Sequence, residues 1–150
     1  MRPGEVDGRD YRFLSPEEFE CRVAEGAFLE HVVYAGNRYG TLRSEIDRIL
    51  GGGRSPLVEI ELAGARAVRA AIPDAVSVFI APPSETELSR RLERRGTDTT
   101  GEITQRMATS RVELAARDEF DHVIVNEDVC TAAAALAEVV RAATGEVARG

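Results

Sequence analysis

The chain has 150 residues, of which 43% are hydrophobic, so it is long enough for one domain with a single core and too apolar for a disordered protein. Its formal net charge of -7 argues against binding to a nucleic-acid backbone, because proteins of that class usually present a basic surface. No apolar run approaches the ~20 residues that cross a membrane, and the N-terminus has no signal-peptide pattern, so we expect a cytoplasmic protein.

The first half of the chain predicts helices around a hairpin. Residues 1–10 are rich in glycine and indicate a loop. The segment Ser15–Glu18 has the serine, proline and glutamate of a capped helix start. Residues 28–34 and 37–41 flank a short turn and predict a hairpin. Apolar residues with helical spacing over 42–50 predict a second helix.

The second half predicts strands that alternate with helices, which is typical of parallel β-α-β units and of an α/β fold. The segment 76–81 is a continuous apolar run of the kind that is buried on both faces of a sheet. The strands are predicted at 57–62, 76–81 and 122–126, and the helices at 65–72, 85–95, 102–117 and 131–143.

Two groups of residues in the first half suit a ligand. Arg2 and Tyr11 lie on the glycine-rich loop, where a charge and a hydroxyl can meet a phosphate, although a plain solvated turn would look the same. Glu30 follows two apolar residues of a predicted strand, with Tyr39 and Thr41 just beyond the turn. A carboxylate there suits two adjacent N–H donors, such as those of guanine; the alternative is an exposed glutamate on a strand edge.

Two further groups lie beyond residue 58. Glu59 and Glu61 are two residues apart, so both point to one face of the predicted strand, near the end where open α/β sheets place their sites. A half-buried edge strand would show the same pattern. Arg91 and Arg95 are four residues apart and share a helical face, and Arg106 follows beyond a glycine-flanked segment. These arginines suit either a mobile cationic lid or an ordinary solvated helix.

Taken in chain order, these groups resemble the guanylate kinase family over nearly the whole chain. The resemblance implies a P-loop-kinase-like parallel sheet with a mixed α+β GMP-binding insert and a helical lid. It divides one domain into a GMP-binding region (1–53), a core (54–89 and 110–150) and a lid (90–109). The residues that carry it are RPGEVDGRDYRF (2–13), EGAFLEH (25–31), GNRYGT (36–41), EIELAGA (59–65), FIAPPS (79–84), RLERRGTD (91–98) and VIVNED (123–128).

The resemblance also implies a reaction, the ATP-dependent phosphorylation of GMP to GDP in purine nucleotide metabolism, with Mg²⁺ carried by ATP. It implies no metal ligand in the chain, no nucleic acid, no membrane and no protein partner. The guanine base would be bound by Glu30, Glu59 and Thr41. The GMP phosphate would be bound by Arg2, Tyr11 and Tyr39. The transferring phosphoryl group would be met by Arg91, Arg95 and Arg106, with Asn126 on the adenine side of ATP.

Two departures of the chain from the family pattern bear on its chemistry. Glu61 stands where the family usually has aspartate. No G-x-x-x-x-G-K-[ST] occurs, and 51–55 (GGGRS) does not replace this Walker A loop, since all 19 basic residues of the chain are arginine. The sequence is therefore interpreted as a guanylate kinase truncated at its N-terminus, without the first strand, P-loop and first helix. The alternatives are a catalytically inactive remnant and a kinase-derived binding module.

Overall fold

The structure, a computed structural model, describes residues 4–34, 36–94 and 100–145. Two of the predicted site residues, Arg2 and Arg95, lie outside these ranges. The chain forms two compact units, Met1–Pro73 and Asp74–Gly150. Residues 54–73 therefore belong with the first unit, because α3 (Leu62–Ala71) packs on β1 (Phe28–Tyr34). The division into GMP-binding region, core and lid stays a prediction.

The first unit begins with a capped helix, α1 (Pro16–Ala24), as predicted. Ser15 Oγ accepts a hydrogen bond from the backbone N–H of Glu18 at 3.1 Å, and the Glu18 carboxylate accepts one from the N–H of Ser15 at 2.8 Å. This reciprocal pair satisfies N–H groups that the first turn of a helix otherwise leaves without partners. Phe19 is buried, and its ring lies 4.6 Å from that of Phe28, which ties the helix to the hairpin.

The predicted hairpin is confirmed. Strand β1 pairs antiparallel with β2 (Asn37–Leu42) across a turn in which Gly36 adopts a φ of 77°, a conformation that favours glycine. The register shifts at Leu29, a β-bulge that lies between the pairs Phe28–Leu42 and Glu30–Thr41. Because a bulge interrupts the two-residue alternation of a strand, three consecutive residues, 28–30, are all buried. The predicted helix after the hairpin is also present as α2 (Arg43–Gly51).

The prediction of a strand at 57–62 is wrong. Residues 54–61 belong to no strand, and α3 begins at Leu62. A strand requires a partner for its backbone hydrogen bonds, and the described residues provide none along this segment. The chain nevertheless keeps extended backbone angles at Glu61 (φ -78°, ψ 170°), and Leu57 is exposed between less exposed neighbours, as the alternating pattern requires.

The second unit contains the parallel pair that the α/β pattern predicts. Strand β3 (Val78–Ala81) pairs with β4 (His122–Val125) in parallel register. The Asp121 carboxylate fixes the start of this pair, because its Oδ2 accepts hydrogen bonds from Ser77 N at 2.8 Å and from Ser77 Oγ at 2.6 Å. The helices of this unit are α4 (Glu85–Arg94), α5 (Thr100–Ala115), a short 3-10 turn (Arg117–Glu119) and α6 (Val129–Thr144).

The expectation that the 76–81 strand is buried on both faces is not met within the described residues. Ile80 remains 45% exposed, and Val125, which lies on the opposite face of the pair, is 48% exposed. The elements described around β3 and β4 therefore cover both faces only in part. Within the same described ranges, the helices are too short or too polar to span a membrane.

Candidate functional site

Among the described residues of the first unit, the most buried charged group is the Glu30 carboxylate. The side chain follows the bulge on β1, and only 5% of the residue is exposed. Thr41 lies opposite it on β2 and donates a hydrogen bond from Oγ1 to Glu30 Oε1 at 2.7 Å. A carboxylate has about four acceptor positions, so it retains capacity for further donors. The structure thus brings together two residues that the sequence predicted to bind one ligand.

Gly64 forms the wall beside this carboxylate. It is the buried residue of α3, and a Cβ atom added to it would lie 2.9 Å from Glu30 Oε2 and 3.2 Å from Ile60 Cβ. Such distances are shorter than ordinary van der Waals contact. The helix can approach Glu30 this closely only because residue 64 has no side chain. Glycine at this position was not identified from the sequence as part of the site.

Glu61 joins Glu30 at this place. Burial, and then the negative charge of Glu30, raise the pKa of Glu61 above its usual value. Glu59, which the family resemblance implies binds the base together with Glu30, has an exposed side chain. The structure therefore places Glu61 under the electrostatic influence of Glu30, and the role of Glu59 stays a prediction. The two-residue spacing suggested that both glutamates share a face, but it could not tell which lies nearer Glu30.

Two tyrosines continue the polar surface of the hairpin. Tyr39 is half-buried and lies two residues before Thr41 on β2, so both side chains are on the same face of the strand. The ring of Tyr11 lies 6.2 Å from the ring of Tyr39 in an edge-on arrangement. The structure therefore brings together Tyr11 and Tyr39, the described members of the predicted phosphate-binding group.

The loop before α1 holds Tyr11 through its own carboxylates. Asp10 Oδ2 accepts a hydrogen bond from Val6 N at 2.8 Å, and Asp7 Oδ1 accepts one from Phe13 N at 2.8 Å. Backbone bonds close the turn further, including one from Gly8 N to Tyr11 O at 2.7 Å. Carboxylates that bond to nearby backbone N–H groups fix turns of this kind. These bonds order the loop, and Tyr11 is 48% exposed on it.

The second unit contains the other predicted residues. Arg91 on α4 is half-buried and donates from Nη2 to the backbone carbonyls of Asn126 at 3.0 Å and Glu127 at 3.3 Å. This places Arg91 beside Asn126, the residue predicted for the adenine side. Arg106 lies half-buried on α5, and its role stays a prediction. The predicted Arg95 cannot be placed, because it lies outside the described residues.

The described residues offer the implied Mg²⁺ no dedicated site of several protein ligands. They bring together no cluster of three or more His, Cys, Asp or Glu side chains in a metal-binding arrangement. An ion that binds ATP phosphates usually keeps several waters and needs only one or two carboxylates. The described side chains therefore do not fit a dedicated magnesium centre.

Comparison with known proteins identifies the family. The family model for guanylate kinase matches residues 1–143. A guanylate kinase of Rubrobacter xylanophilus is 50% identical over 140 residues, which cover 93% of this chain and 73% of that protein. One of Frankia casuarinae is 52% identical over 135 residues, which cover 90% of this chain and 73% of that protein.

The fold agrees with the same family. The crystal structure of guanylate kinase from Anaplasma phagocytophilum superimposes with a TM-score of 0.77 and 33% sequence identity. The superposition covers 95% of this chain and 69% of that one. With a family match over most of its length, close relatives at about half identity and a shared fold, the chain belongs to the guanylate kinase family of phosphotransferases.

Proposed function

We propose that this chain binds GMP on the hairpin face of its first unit and serves the ATP-dependent phosphorylation of GMP to GDP. Members of its family act on GMP and ATP. The observation that supports GMP as the ligand is the buried Glu30 carboxylate with the Thr41 hydroxyl at 2.7 Å. A buried charge with one hydrogen bond from a neighbouring side chain is costly unless a ligand supplies further donors.

Guanine supplies donors of the required kind. Its pairing edge presents N1–H and the 2-amino group side by side, and both can donate to one carboxylate. Adenine presents an acceptor at N1, which would face the negative charge of Glu30 and leave that charge without a donor. The nearby Glu61 adds to the negative character of the wall and favours a ligand edge rich in donors. Glu59 and Thr41 complete the proposed base site.

The phosphate of GMP is proposed to bind at Tyr11 and Tyr39, with Arg2 adding charge. Phenolic hydroxyl groups donate hydrogen bonds to phosphate oxygens, and an arginine can bind two of them at once. The ring separation of 6.2 Å allows both tyrosines to reach one tetrahedral anion at the same end of the hairpin face. The remaining steps of phosphoryl transfer are proposed to depend on Arg91, Arg95 and Arg106, which neutralise the transferring group. Mg²⁺ would arrive with ATP and neutralise its phosphates, and we assign it no ligand in this chain.

Titration of GMP, IMP and AMP by calorimetry tests the base assignment. The Glu30→Gln variant keeps the shape of the side chain and removes its charge, so we expect GMP binding to weaken by about 1–3 kcal/mol. IMP lacks the 2-amino group and should bind the unmodified chain more weakly than GMP does. The matched control is Glu25→Gln, which removes one charge from an exposed position at the end of α1 and should leave the GMP affinity unchanged.

The same titrations can reject the proposal. Equal affinities for GMP and AMP in the unmodified chain would contradict guanine recognition. Equal losses of GMP affinity in Glu30→Gln and Glu25→Gln would show that general charge, rather than a bond to the base, governs binding. If no nucleotide bound at all, the proposed substrate would be wrong for this chain.

A further inference from the structure

We propose that Glu87 is a positioning residue that, together with the backbone carbonyls that follow β4, holds the Arg91 guanidinium in place before a nucleotide binds. The inference rests on the proposed function in one respect, since it takes the ligand of Arg91 to be a nucleotide phosphate. In this arrangement Arg91 is a fixed part of the second unit. Its Nη1 amino group is the part that meets the ligand.

The bonds of Arg91 determine its orientation. Nε donates to Glu87 Oε1 at 2.8 Å, and Nη2 donates to the carbonyls of Asn126 and Glu127. These bonds use three of the five N–H donors of the guanidinium. The two donors on Nη1 make no hydrogen bond to residues in the described part of the chain. A planar group held on two sides has little freedom, so Nη1 presents two donors from a defined position.

Glu87 is itself held firmly. Its backbone N–H donates to Ser84 Oγ at 3.1 Å in the first turn of α4. Its carboxylate accepts two hydrogen bonds from Arg90, at 2.7 and 2.8 Å, besides the one from Arg91. The hydrogen bonds from Arg90 and Arg91 lower the pKa of Glu87 to about 2, so the carboxylate is charged at neutral pH. Ser84 thus fixes the backbone of Glu87, and the bonds from the two arginines fix its carboxylate.

Arg90 and Arg91 share Glu87 but differ in their surroundings. The Arg90 side chain is 57% exposed and the Arg91 side chain is 36% exposed. Arg91 alone of these two also bonds to the loop after β4. Arg90 therefore provides a matched control, since it is a neighbouring arginine on the same helix with the same carboxylate partner.

Charge and positioning predict opposite effects on the binding of an anion. Glu87→Ala removes a negative charge beside the site, so charge alone would strengthen the binding of ADP. If Glu87 positions Arg91, the same variant weakens ADP binding, because the guanidinium must be ordered when the ligand binds. Arg90→Ala removes a positive charge from the same turn. Charge alone would weaken ADP binding in that variant, whereas positioning of Arg91 predicts little change.

The experiment uses nitrogen-15 NMR on the whole chain to follow the arginine Nε–H signals. We expect the Arg91 signal to exchange with water about tenfold faster in Glu87→Ala than in the unmodified chain, as the loss of a charge-assisted hydrogen bond permits. In Arg90→Ala the exchange rate should stay within about twofold. Titration with ADP should shift the Arg91 signal, with a Kd about fivefold or more higher in Glu87→Ala.

Three outcomes would overturn the proposal. One is an unchanged Arg91 exchange rate in Glu87→Ala. Another is tighter ADP binding in Glu87→Ala with weaker binding in Arg90→Ala, which is the result of charge alone. The third is the absence of any ADP-dependent shift at Arg91. If Glu87→Ala does not fold, as judged by circular dichroism, Glu87→Gln is measured instead and should show the same direction of change.

GMP titration on the same samples separates this proposal from the proposed function. Glu87→Ala should leave GMP affinity unchanged, because the GMP site lies in the first unit. A chain that fails to bind GMP but shows the expected Arg91 exchange rates and ADP shifts would refute the GMP assignment and support the positioning role. A chain that binds GMP but shows no effect of Glu87→Ala on Arg91 would support the GMP assignment and refute the positioning role.

Discussion

Replacement of Gly64 by alanine tests the closest approach in the proposed base site. The added Cβ would lie 2.9 Å from Glu30 Oε2 and 3.2 Å from Ile60 Cβ. Non-bonded heavy atoms prefer separations of about 3.5–4.0 Å, so the carboxylate must retreat by roughly half an ångström or more. Glu30 is buried and bonded to Thr41 at 2.7 Å, so this movement also disturbs that hydrogen bond.

The expected magnitudes separate binding from folding. Alanine is favoured over glycine inside a helix by about 1 kcal/mol, and overpacking costs about 1–3 kcal/mol. The two effects partly cancel, so the free energy of unfolding should fall by no more than ~2 kcal/mol. The gain in helix propensity does not offset any loss of GMP affinity. The loss of one well-placed bond to a charged group should weaken GMP binding by about 1.5–3 kcal/mol, which is roughly 10- to 150-fold in Kd.

The measurement is calorimetric titration of GMP with the unmodified chain, Gly64→Ala and the control Gly51→Ala. Gly51 ends α2 in the same unit, and a Cβ added there would have no described heavy atom within 4 Å. The control should bind GMP as the unmodified chain does. If folded Gly64→Ala also bound GMP with unchanged affinity, Glu30 would not be the acceptor for the base, and the reasoning from this contact would be refuted.

Three further predictions concern pH, the second unit and turnover. Because the pKa of Glu61 is raised in the folded state, its ionisation destabilises the fold as the pH rises from 4.5 through the raised value. The melting temperature of Glu61→Gln relative to the unmodified chain should therefore increase between about pH 4 and 7, and a constant difference would contradict this. Asp121→Ala should lower the stability of the second unit by about 1–2 kcal/mol in urea denaturation, since it removes the two bonds that the carboxylate accepts from Ser77, and an unchanged midpoint would exclude that role. A polypeptide of these 150 residues, assayed alone, should bind GMP without measurable turnover, because it contains no Walker A loop to position the ATP phosphates for transfer; turnover near 1–100 s⁻¹, roughly that of ordinary kinases, would disprove this.

Local features of the fold could be predicted from the sequence because they depend on neighbouring residues. The start of α1 follows from Ser15, Pro16 and Glu18, and the structure shows the reciprocal bonds that this triplet predicts. The hairpin follows from two strand-like segments around Gly36. In both places the relevant contacts span only a few residues of chain.

Features that depend on distant residues could not be predicted in the same way. The segment 57–62 has the alternating pattern of a strand, but the pattern carries no information on whether a partner is present to complete the ladder. Glu59 and Glu61 have equivalent spacing, and only the position of Glu30 in three dimensions distinguishes them. The contact between Arg91 and the carbonyl of Asn126 spans 35 residues, and helical periodicity cannot reveal it.

The bulge at Leu29 has a consequence for how the base site can evolve. The burial of Glu30 depends on one additional residue in β1, so its position is specified by the number of residues in the strand as well as by their chemistry. A substitution at residue 29 changes local packing but preserves that number. A deletion there would remove the bulge and make the ladder regular, so Phe28 and Glu30 would become consecutive strand residues that point to opposite faces. Selection on this hairpin should therefore tolerate substitutions more readily than single-residue insertions or deletions.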